Sequence, residues 1–213
     1  DIPIDVDKDL RIVAMFPRDA PEDVILPCSL EDLPKGARVG TSSVRRVEML
    51  KEIRPDLEIL SLRGNIHTRL DRLDKGDFDA IILAKAGLDR MGIERPMATL
   101  DKDRFIPAPA QGVIAVECRA DDDVTTASVR KLDDRTTRIA VSAERGIMKL
   151  MGAGCSSPVG IHAEVIGSEV RIVAVSYGYS ETPRRVEKML PIDHTVDDLL
   201  DIAEYLTGKR DTI

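Results

Sequence analysis

Short apolar runs alternate with helical patterns along residues 37–90, and this alternation limits the fold more than any other feature of the sequence. The apolar runs are 37–40, 57–62 and 78–84. Such alternation predicts parallel strands joined by right-handed crossovers. The first helix should have Thr41 or Ser42 as its N-cap, and the second should stop at Gly76.

The segments that flank this unit have other patterns. Residues 1–16 contain an extended stretch, and residues 17–24 form a turn-rich connector. The proline-rich segment 105–112 leads into an apolar strand, which we expect to return to the sheet of the opening stretch. These two connections predict two lobes, between which the chain passes twice.

The C-terminal part changes from helical to strand patterns. Residues 124–150 carry helical periodicity that breaks near Asp133 and Asp134. An antiparallel hairpin with a turn at Gly167–Ser168 should follow, then a third strand and a last helix that begins near Thr195.

Composition excludes several classes of function. The net charge is -7, tryptophan is absent and aromatic residues make up 3%, which disfavours binding to nucleic acid. No apolar run approaches the roughly 20 residues of a membrane span.

The three cysteines are odd in number and widely spaced, so we expect a cytoplasmic protein without disulfides. The three histidines are scattered, and we expect no metal site.

Arginines follow the ends of successive predicted strands. Arg45 and Arg46 follow the first strand, Arg63 and Arg69 the second, and Arg90 the third. Hydroxyl donors also follow the first strand, namely Thr41, Ser42 and Ser43. In an open parallel sheet these ends share a crevice in which ligands bind, and helix N-termini add free N–H groups.

Guanidinium groups pair bidentately with carboxylates and phosphates. We therefore expect a cleft for an anion with several negative groups. The alternative is that these arginines are solvated helix residues that pair with nearby carboxylates. The candidates for that pairing are Glu48, Glu52, Asp71 and Asp74.

The sequence predicts that Cys155 lies on a glycine loop rather than on an apolar face. Gly152, Gly154 and Pro158 surround it in the sequence "MGAGCSSPVG". One interpretation is a thiol that makes a covalent bond, and the other is an ordinary loop cysteine. Cys118 ends an apolar strand and is predicted to be buried.

Five motifs in order resemble the porphobilinogen deaminase family, also called hydroxymethylbilane synthases. They are "VGTSSVRR", "LRGNIHTRL", "FDAIILAKAGLDRMG", "PAPAQGVIAVECR" and "GAGCSSPVG". The resemblance implies a transferase that links four porphobilinogen molecules head to tail into hydroxymethylbilane and releases ammonia. It also implies a dipyrromethane cofactor joined by a thioether to Cys155. We also expect a monomer.

The resemblance assigns roles to individual residues. Asp1 matches a catalytic carboxylate that stabilises positive charge near the pyrrole nitrogens. Carboxylate binders would be Arg45, Arg46, Arg63, Arg69 and Arg90. Hydroxyl donors would be Thr41, Ser42 and Ser43, backbone contacts would come from Gly64 and Ala84, and Gln111 would lie in a hinge-side loop. The family motif that precedes this Asp is absent, so we expect the N-terminal part of the first domain to be missing and the isolated chain to be impaired.

The predicted fold class is α/β, with periplasmic-binding-protein-like parallel or mixed sheets in two lobes and a small C-terminal α+β domain with an antiparallel sheet. Residues 1–17 and 108–131 would be the remnant of domain 1, 18–107 domain 2, and 132–213 domain 3 with Cys155. The competing function is a non-catalytic anion-binding module of the same architecture, for which no exposed thiol is needed. An enzyme of phosphoribosyl chemistry is a third reading, but its acidic-hydroxyl phosphate loop is not found.

Overall fold

The computed structural model describes residues 3–154 and 156–213. The predictions for Asp1 and Cys155 lie outside the described residues. The strands are β1 (Leu10–Met15), β2 (Asp23–Leu26), β3 (Arg38–Gly40), β4 (Glu58–Leu60), β5 (Ala80–Ala84), β6 (Ala98–Thr99), β7 (Ala115–Arg119), β8 (Val159–Ile166), β9 (Glu169–Ser176) and β10 (Arg184–Pro191). The helices are α1 (Val44–Ile53), α2 (Ile66–Asp74), α3 (Lys85–Arg90), α4 (Asp123–Val129), α5 (Arg135–Leu150) and α6 (Val196–Leu206).

The central sheet has the strand order β4-β3-β5-β2-β6. Strand β3 runs parallel to β4 and β5, as the strand–helix alternation predicts. Strand β2 is antiparallel to both β5 and β6, so the sheet is mixed, in agreement with the predicted class of parallel or mixed sheets. The apolar run of β2, residues 24–26, is only three residues long and follows a proline and two acidic residues, so the sequence pattern there is that of a connector.

The N-cap of α1 is Ser43, not the predicted Thr41 or Ser42. The Ser43 hydroxyl accepts a hydrogen bond from the backbone N–H of Arg46 at 3.5 Å. Thr41 still belongs to the extended chain, because its N–H donates to the carbonyl of Leu60 at 2.9 Å. The next helix, α2, ends at Asp74, and Gly76 follows it with a φ of +76°.

A separate two-stranded ribbon pairs β1 with β7 in antiparallel fashion. This pairing confirms that the strand after the proline-rich segment returns to the opening strand. Two connections join the ribbon to the central sheet, and we call residues 17–22 the first crossing segment and residues 107–114 the second. They lie side by side, since the N–H of Asp19 donates to the carbonyl of Gly112 at 3.0 Å.

The C-terminal unit is a three-stranded antiparallel sheet of order β10-β9-β8, with α5 and α6 packed on it. Gly167 turns the β8–β9 hairpin with a φ of +62°. Asp134 caps α5 at the predicted break, and Thr195 and Asp198 form a capping box at the start of α6. These features, together with the mixed central sheet, confirm the predicted α/β class with an antiparallel C-terminal sheet. The domain boundaries stay a prediction.

The C-terminal sheet also packs against the central unit. Val173, Val175 and Tyr177 share a buried apolar cluster with Met49 and Phe105. None of the helices in the described part of the chain is long and apolar enough to cross a bilayer.

The two units approach each other closely at Gly160. A Cβ added there would lie 2.7 Å from the carbonyl oxygen of Ile106 and 2.8 Å from Cε of Met49. The backbone of β8 therefore touches Ile106, directly before the second crossing segment, and only glycine fits without a shift.

We expect Gly160→Ala to lower the free energy of unfolding by about 1–3 kcal/mol, because the new methyl group forces backbone apart. Gly154→Ala is the matched control, because a Cβ at Gly154 would have no heavy atom within 4 Å. Urea unfolding followed by circular dichroism measures both. Equal midpoints for the two variants would contradict this account of the interface.

Candidate functional site

The loops that follow β3 and β4 meet at one edge of the central sheet. The hydroxyl oxygen of Ser42 lies 2.9 Å from that of Ser61 and donates to the carbonyl of Leu62 at 2.9 Å. The start of α3, directly after β5, reaches the first crossing segment, because the N–H of Lys85 donates to the carbonyl of Glu22 at 3.0 Å. The topology thus brings the predicted hydroxyl and backbone donors to the same side of the sheet.

Arg45 and Arg46 lie in the first turn of α1 and are buried around the carboxylate of Asp23. Their side chains contact Asp23 through Nη2 at 2.8 and 2.7 Å, one on each carboxylate oxygen. Arg45 Nη1 donates to the carbonyl of Ile106 at 2.8 Å, and Arg46 Nη1 donates to that of Ile82 at 3.1 Å. The alternative of solvated pairing with helix carboxylates is therefore wrong for these two arginines.

Gln111 of the second crossing segment completes this cluster. Its amide nitrogen donates to Asp23 at 2.9 Å and to the carbonyl of Pro21 at 2.6 Å. Its amide oxygen accepts a longer bond of 3.4 Å from Arg45. We call Asp23, Arg45, Arg46 and Gln111 the Asp23 cluster, and it joins β2, α1 and both crossing segments.

The Asp23 cluster carries an excess of positive charge. Burial alone would raise the pKa of Asp23, but the two guanidinium groups outweigh burial and hold that pKa below its ordinary value. One carboxylate then balances only one of the two arginines. The remaining positive charge lies next to the loops at the sheet edge, where an anion would be stabilised.

Arg69 of helix α2 is also affected by the positive charge of the Asp23 cluster. It is half-buried, and its Nε donates to the carbonyl of Gly64 at 2.8 Å. Burial lowers the pKa of Arg69, and the positive charge of Arg46 lowers it further. Arg63 lies exposed in the same loop and forms no ion pair with the described residues. Among the five predicted carboxylate binders, Arg63 and Arg69 are therefore the two without an ion pair to the described residues, which suits them to an external carboxylate.

Arg90 has a different environment. Its Nε donates to the carboxylate of Asp19 at 2.7 Å, and its Nη2 donates to the carbonyl of Gly112 at 2.8 Å. It therefore ties the end of α3 to both crossing segments.

A cavity of about 710 Å³ lies between the ribbon, the second crossing segment, the start of α1 and α5. Of the predicted site residues, Ser43, Arg45 and Gln111 line it, whereas those of the loops after β4 and β5 do not. Gly154 and Ser157 also line it, and they stand on either side of Cys155 in the sequence. The cavity thus connects the start of α1 with the glycine loop.

A second buried carboxylate was not predicted from the sequence. Glu144 of α5 is fully buried and accepts from both terminal nitrogens of Arg18, at 2.8 and 2.7 Å. It also accepts from the N–H of Ala110 at 2.6 Å and of Ala163 at 2.7 Å. The signal for Glu144 is a glutamate on the apolar face of α5. The corresponding signal for Asp23 is an aspartate directly before the apolar run of β2.

No group of three or more histidine, cysteine, aspartate or glutamate side chains suits a metal ion within residues 3–154 and 156–213. His162 lies beside Glu144, and burial lowers the pKa of its imidazole. Cys118 is buried as predicted, at 8% exposure.

Two family models match the chain. Residues 1–127 match the family model described as porphobilinogen deaminase, dipyrromethane cofactor binding domain, and residues 138–196 match the porphobilinogen deaminase C-terminal domain. The chain belongs to the porphobilinogen deaminase family.

Curated relatives agree with this assignment. The porphobilinogen deaminase of Xanthomonas axonopodis pv. citri (strain 306) is 45% identical over 174 residues, which are 80% of this chain and 57% of the relative. That of Stenotrophomonas maltophilia (strain K279a) is 45% identical over 81% of this chain and 58% of the relative. That of Mycobacterium leprae (strain TN) is 46% identical over 79% and 55%. The chain spans a little over half the length of these relatives, none of which is named as a non-catalytic binding module.

We expect Asp23→Asn to lower the free energy of unfolding by about 3–5 kcal/mol, because it leaves two buried guanidinium groups without a counter-charge. Asp56→Asn is the matched control, since Asp56 pairs with Arg54 near the surface and should affect stability far less. Thermal or urea unfolding of both variants at neutral pH measures the difference. A loss for Asp23→Asn no larger than that of the control would contradict the role of Asp23.

The pH dependence provides a second measurement on the same variant. Because the pKa of Asp23 is lower in the folded protein than the unfolded value of about 3.9, its stabilisation is full above that value. The stabilisation is lost as the pH falls through the lower folded-state pKa. The slope of unfolding free energy against pH in this acid range should therefore be shallower in Asp23→Asn than in the wild type.

Proposed function

We propose that this chain is the part of a porphobilinogen deaminase that holds a dipyrromethane cofactor and the growing oligopyrrole. The complete enzyme would link four porphobilinogen molecules head to tail into hydroxymethylbilane and release ammonia. The observation that carries the proposal is the match of residues 1–127 to the dipyrromethane cofactor binding domain. We further propose a monomer that acts in the cytoplasm, with porphobilinogen as its small-molecule partner.

The chemistry of the candidate site fits such a group. Each pyrrole carries an acetate and a propionate, so the ligand brings several carboxylates. The cavity of about 710 Å³ lies within the roughly 300–1,000 Å³ range of small-molecule sites. Serine hydroxyls and guanidinium groups contribute to its lining, and the Asp23 cluster adds net positive charge beside it.

The residues of the chain divide into three proposed roles. Cys155 would provide the sulfur for the thioether. Direct carboxylate contacts would come from Arg63 and Arg69, with the hydroxyl and backbone donors Thr41, Ser42, Ser43, Gly64 and Ala84. The internally bonded residues Arg45, Arg46, Arg90 and Gln111 would shape the site and supply its field. When bound, the cofactor supplies the pyrrole to which substrate units are added.

Asp1 is the proposed catalytic residue. Its carboxylate would stabilise positive charge that develops near the pyrrole nitrogen of the substrate. The same oxygen atoms could accept a proton from that nitrogen and return it.

Mass spectrometry tests the cofactor assignment. The full-length gene product that contains this sequence, expressed in cells that make porphobilinogen, should exceed its calculated mass by two pyrrole units. Cys155→Ala should remove the excess. Cys28→Ala and Cys118→Ala are the matched controls and should retain it. An unmodified wild-type protein, or an adduct that survives Cys155→Ala, would refute the assignment.

We expect Arg63→Ala to stall chain elongation while leaving the fold intact. Arg63 is exposed and has no ion-pair partner among the described residues, so its removal should change the free energy of unfolding by no more than about 0.5 kcal/mol. Quenched-flow mass analysis of enzyme-bound intermediates measures elongation, and urea unfolding measures stability. Normal turnover in this variant would contradict the carboxylate-binding role.

A further inference from the structure

The segment that follows Asp1 is bound along one face of α5. The guanidinium of Arg145 donates to the carbonyl of Pro3 at 2.6 Å and to that of Ile4 at 3.3 Å. Lys149, four residues later on the same helix face, pairs with Asp5 at 2.8 Å.

Ile4 adds an apolar contact between these two polar ones. Its side chain packs against the buried apolar cluster of the C-terminal unit, and it also lines the cavity of about 710 Å³. Arg145 lines the same cavity. The segment of residues 3–5, which we call the entry segment, therefore lies at the cavity and is attached to α5.

The three contacts differ in strength. The pair of Lys149 and Asp5 is exposed on both sides, at 66% and 81%, and such pairs contribute little. Arg145 is half-buried, and its Nη2 donates to two successive backbone carbonyls, with a short bond to Pro3 and a longer one to Ile4. Backbone carbonyls are present whatever the side chains, so this anchor fixes the path of the chain itself.

We propose that Arg145 is a positioning residue that fastens the entry segment to α5 and so directs the chain toward Asp1. The proposal rests on the proposed function, which makes Asp1 the catalytic carboxylate. Asp1 lies two residues before Pro3 in the sequence, and two residues span at most about 7 Å. An anchor at Pro3 thus sets the point from which Asp1 reaches the substrate.

The anchor also assigns a second task to α5. The same helix carries Glu144, which binds both crossing segments, and Arg145 is its neighbour in the sequence. One helix of the C-terminal unit would then set the position of the entry segment as well as that of the second crossing segment.

NMR relaxation of the 213-residue chain tests the anchor without any need for activity. In the wild type, the backbone N–H groups of Ile4 and Asp5 should have order parameters near 0.85, the value for rigid backbone. Arg145→Met keeps the aliphatic stem but removes the donors, and should lower these order parameters below about 0.6. Arg145→Lys retains one donor group and should give intermediate values.

Arg138→Met is the matched control. Arg138 also lies on α5 and donates to a backbone carbonyl, that of Val13, but it does not touch the entry segment. It should leave the order parameters of Ile4 and Asp5 unchanged. Unchanged order parameters in Arg145→Met, or an equal loss in both variants, would overturn the anchor.

The side-chain carboxyl ¹³C resonance of Asp1, assigned with Asp1→Asn, tests the positioning of Asp1. It should shift in Arg145→Met and not in Arg138→Met, whereas a purely structural role of Arg145 would not move it selectively. An unshifted resonance would overturn the positioning role. Absence of the pyrrole adduct on Cys155 would refute the proposed function instead, and both NMR measurements would still decide the role of Arg145.

Discussion

The burial of the Asp23 carboxylate between two guanidinium groups is the constraint on which the rest of the structure depends. Strand β2 enters the central sheet antiparallel beside β5, and this places Asp23 under the first turn of α1. A carboxylate without exposure is very costly unless charges and hydrogen bonds compensate it. Arg45, Arg46 and Gln111 supply this compensation, and they come from a helix and from the second crossing segment. The buried charge therefore holds together parts of the chain that are far apart in sequence.

Glu144 imposes a similar constraint from the C-terminal unit. It compensates its own burial with Arg18 of the first crossing segment and with two backbone N–H groups. The second crossing segment meets both buried carboxylates through adjacent residues, because the N–H of Ala110 binds Glu144 and the side chain of Gln111 binds Asp23. Ala110 has a φ of +62°, which is uncommon for a residue other than glycine. The hydrogen bond to Glu144 is a physical reason why this residue is held in that conformation.

Much of the fold could be predicted from local patterns, because those patterns depend on neighbouring residues. The parallel strands β3, β4 and β5, the return of β7 to β1 and the capping box at Thr195 follow from periodicity and cap chemistry. The antiparallel entry of β2 could not be predicted in this way. Its four residues carry no alternation, and its place depends on an ion cluster whose members are up to 88 residues apart.

Local sequence patterns also do not distinguish the arginines of the candidate site that have internal partners from those that have none. Sequence position alone placed Arg45, Arg63 and Arg90 in equivalent loops after strands. Only the long-range contacts distinguish Arg63, which has no ion pair with the described residues, from Arg45 and Arg90, which are bonded to other parts of the chain. A prediction of which guanidinium can meet a ligand therefore requires the tertiary partners and not only the topology.

An internally bonded arginine can still act on a ligand through its electric field. Charge interactions weaken with distance but persist where the surroundings are poorly polarisable, as they are inside a protein. Arg46 shows this effect on Arg69, because its charge helps to lower the pKa of that neighbour. The same positive charge that destabilises protonated Arg69 would stabilise a carboxylate at that place. Under the proposed function, the buried arginines would contribute to anion binding by position and sign of charge, while Arg63 and Arg69 would provide the contacts.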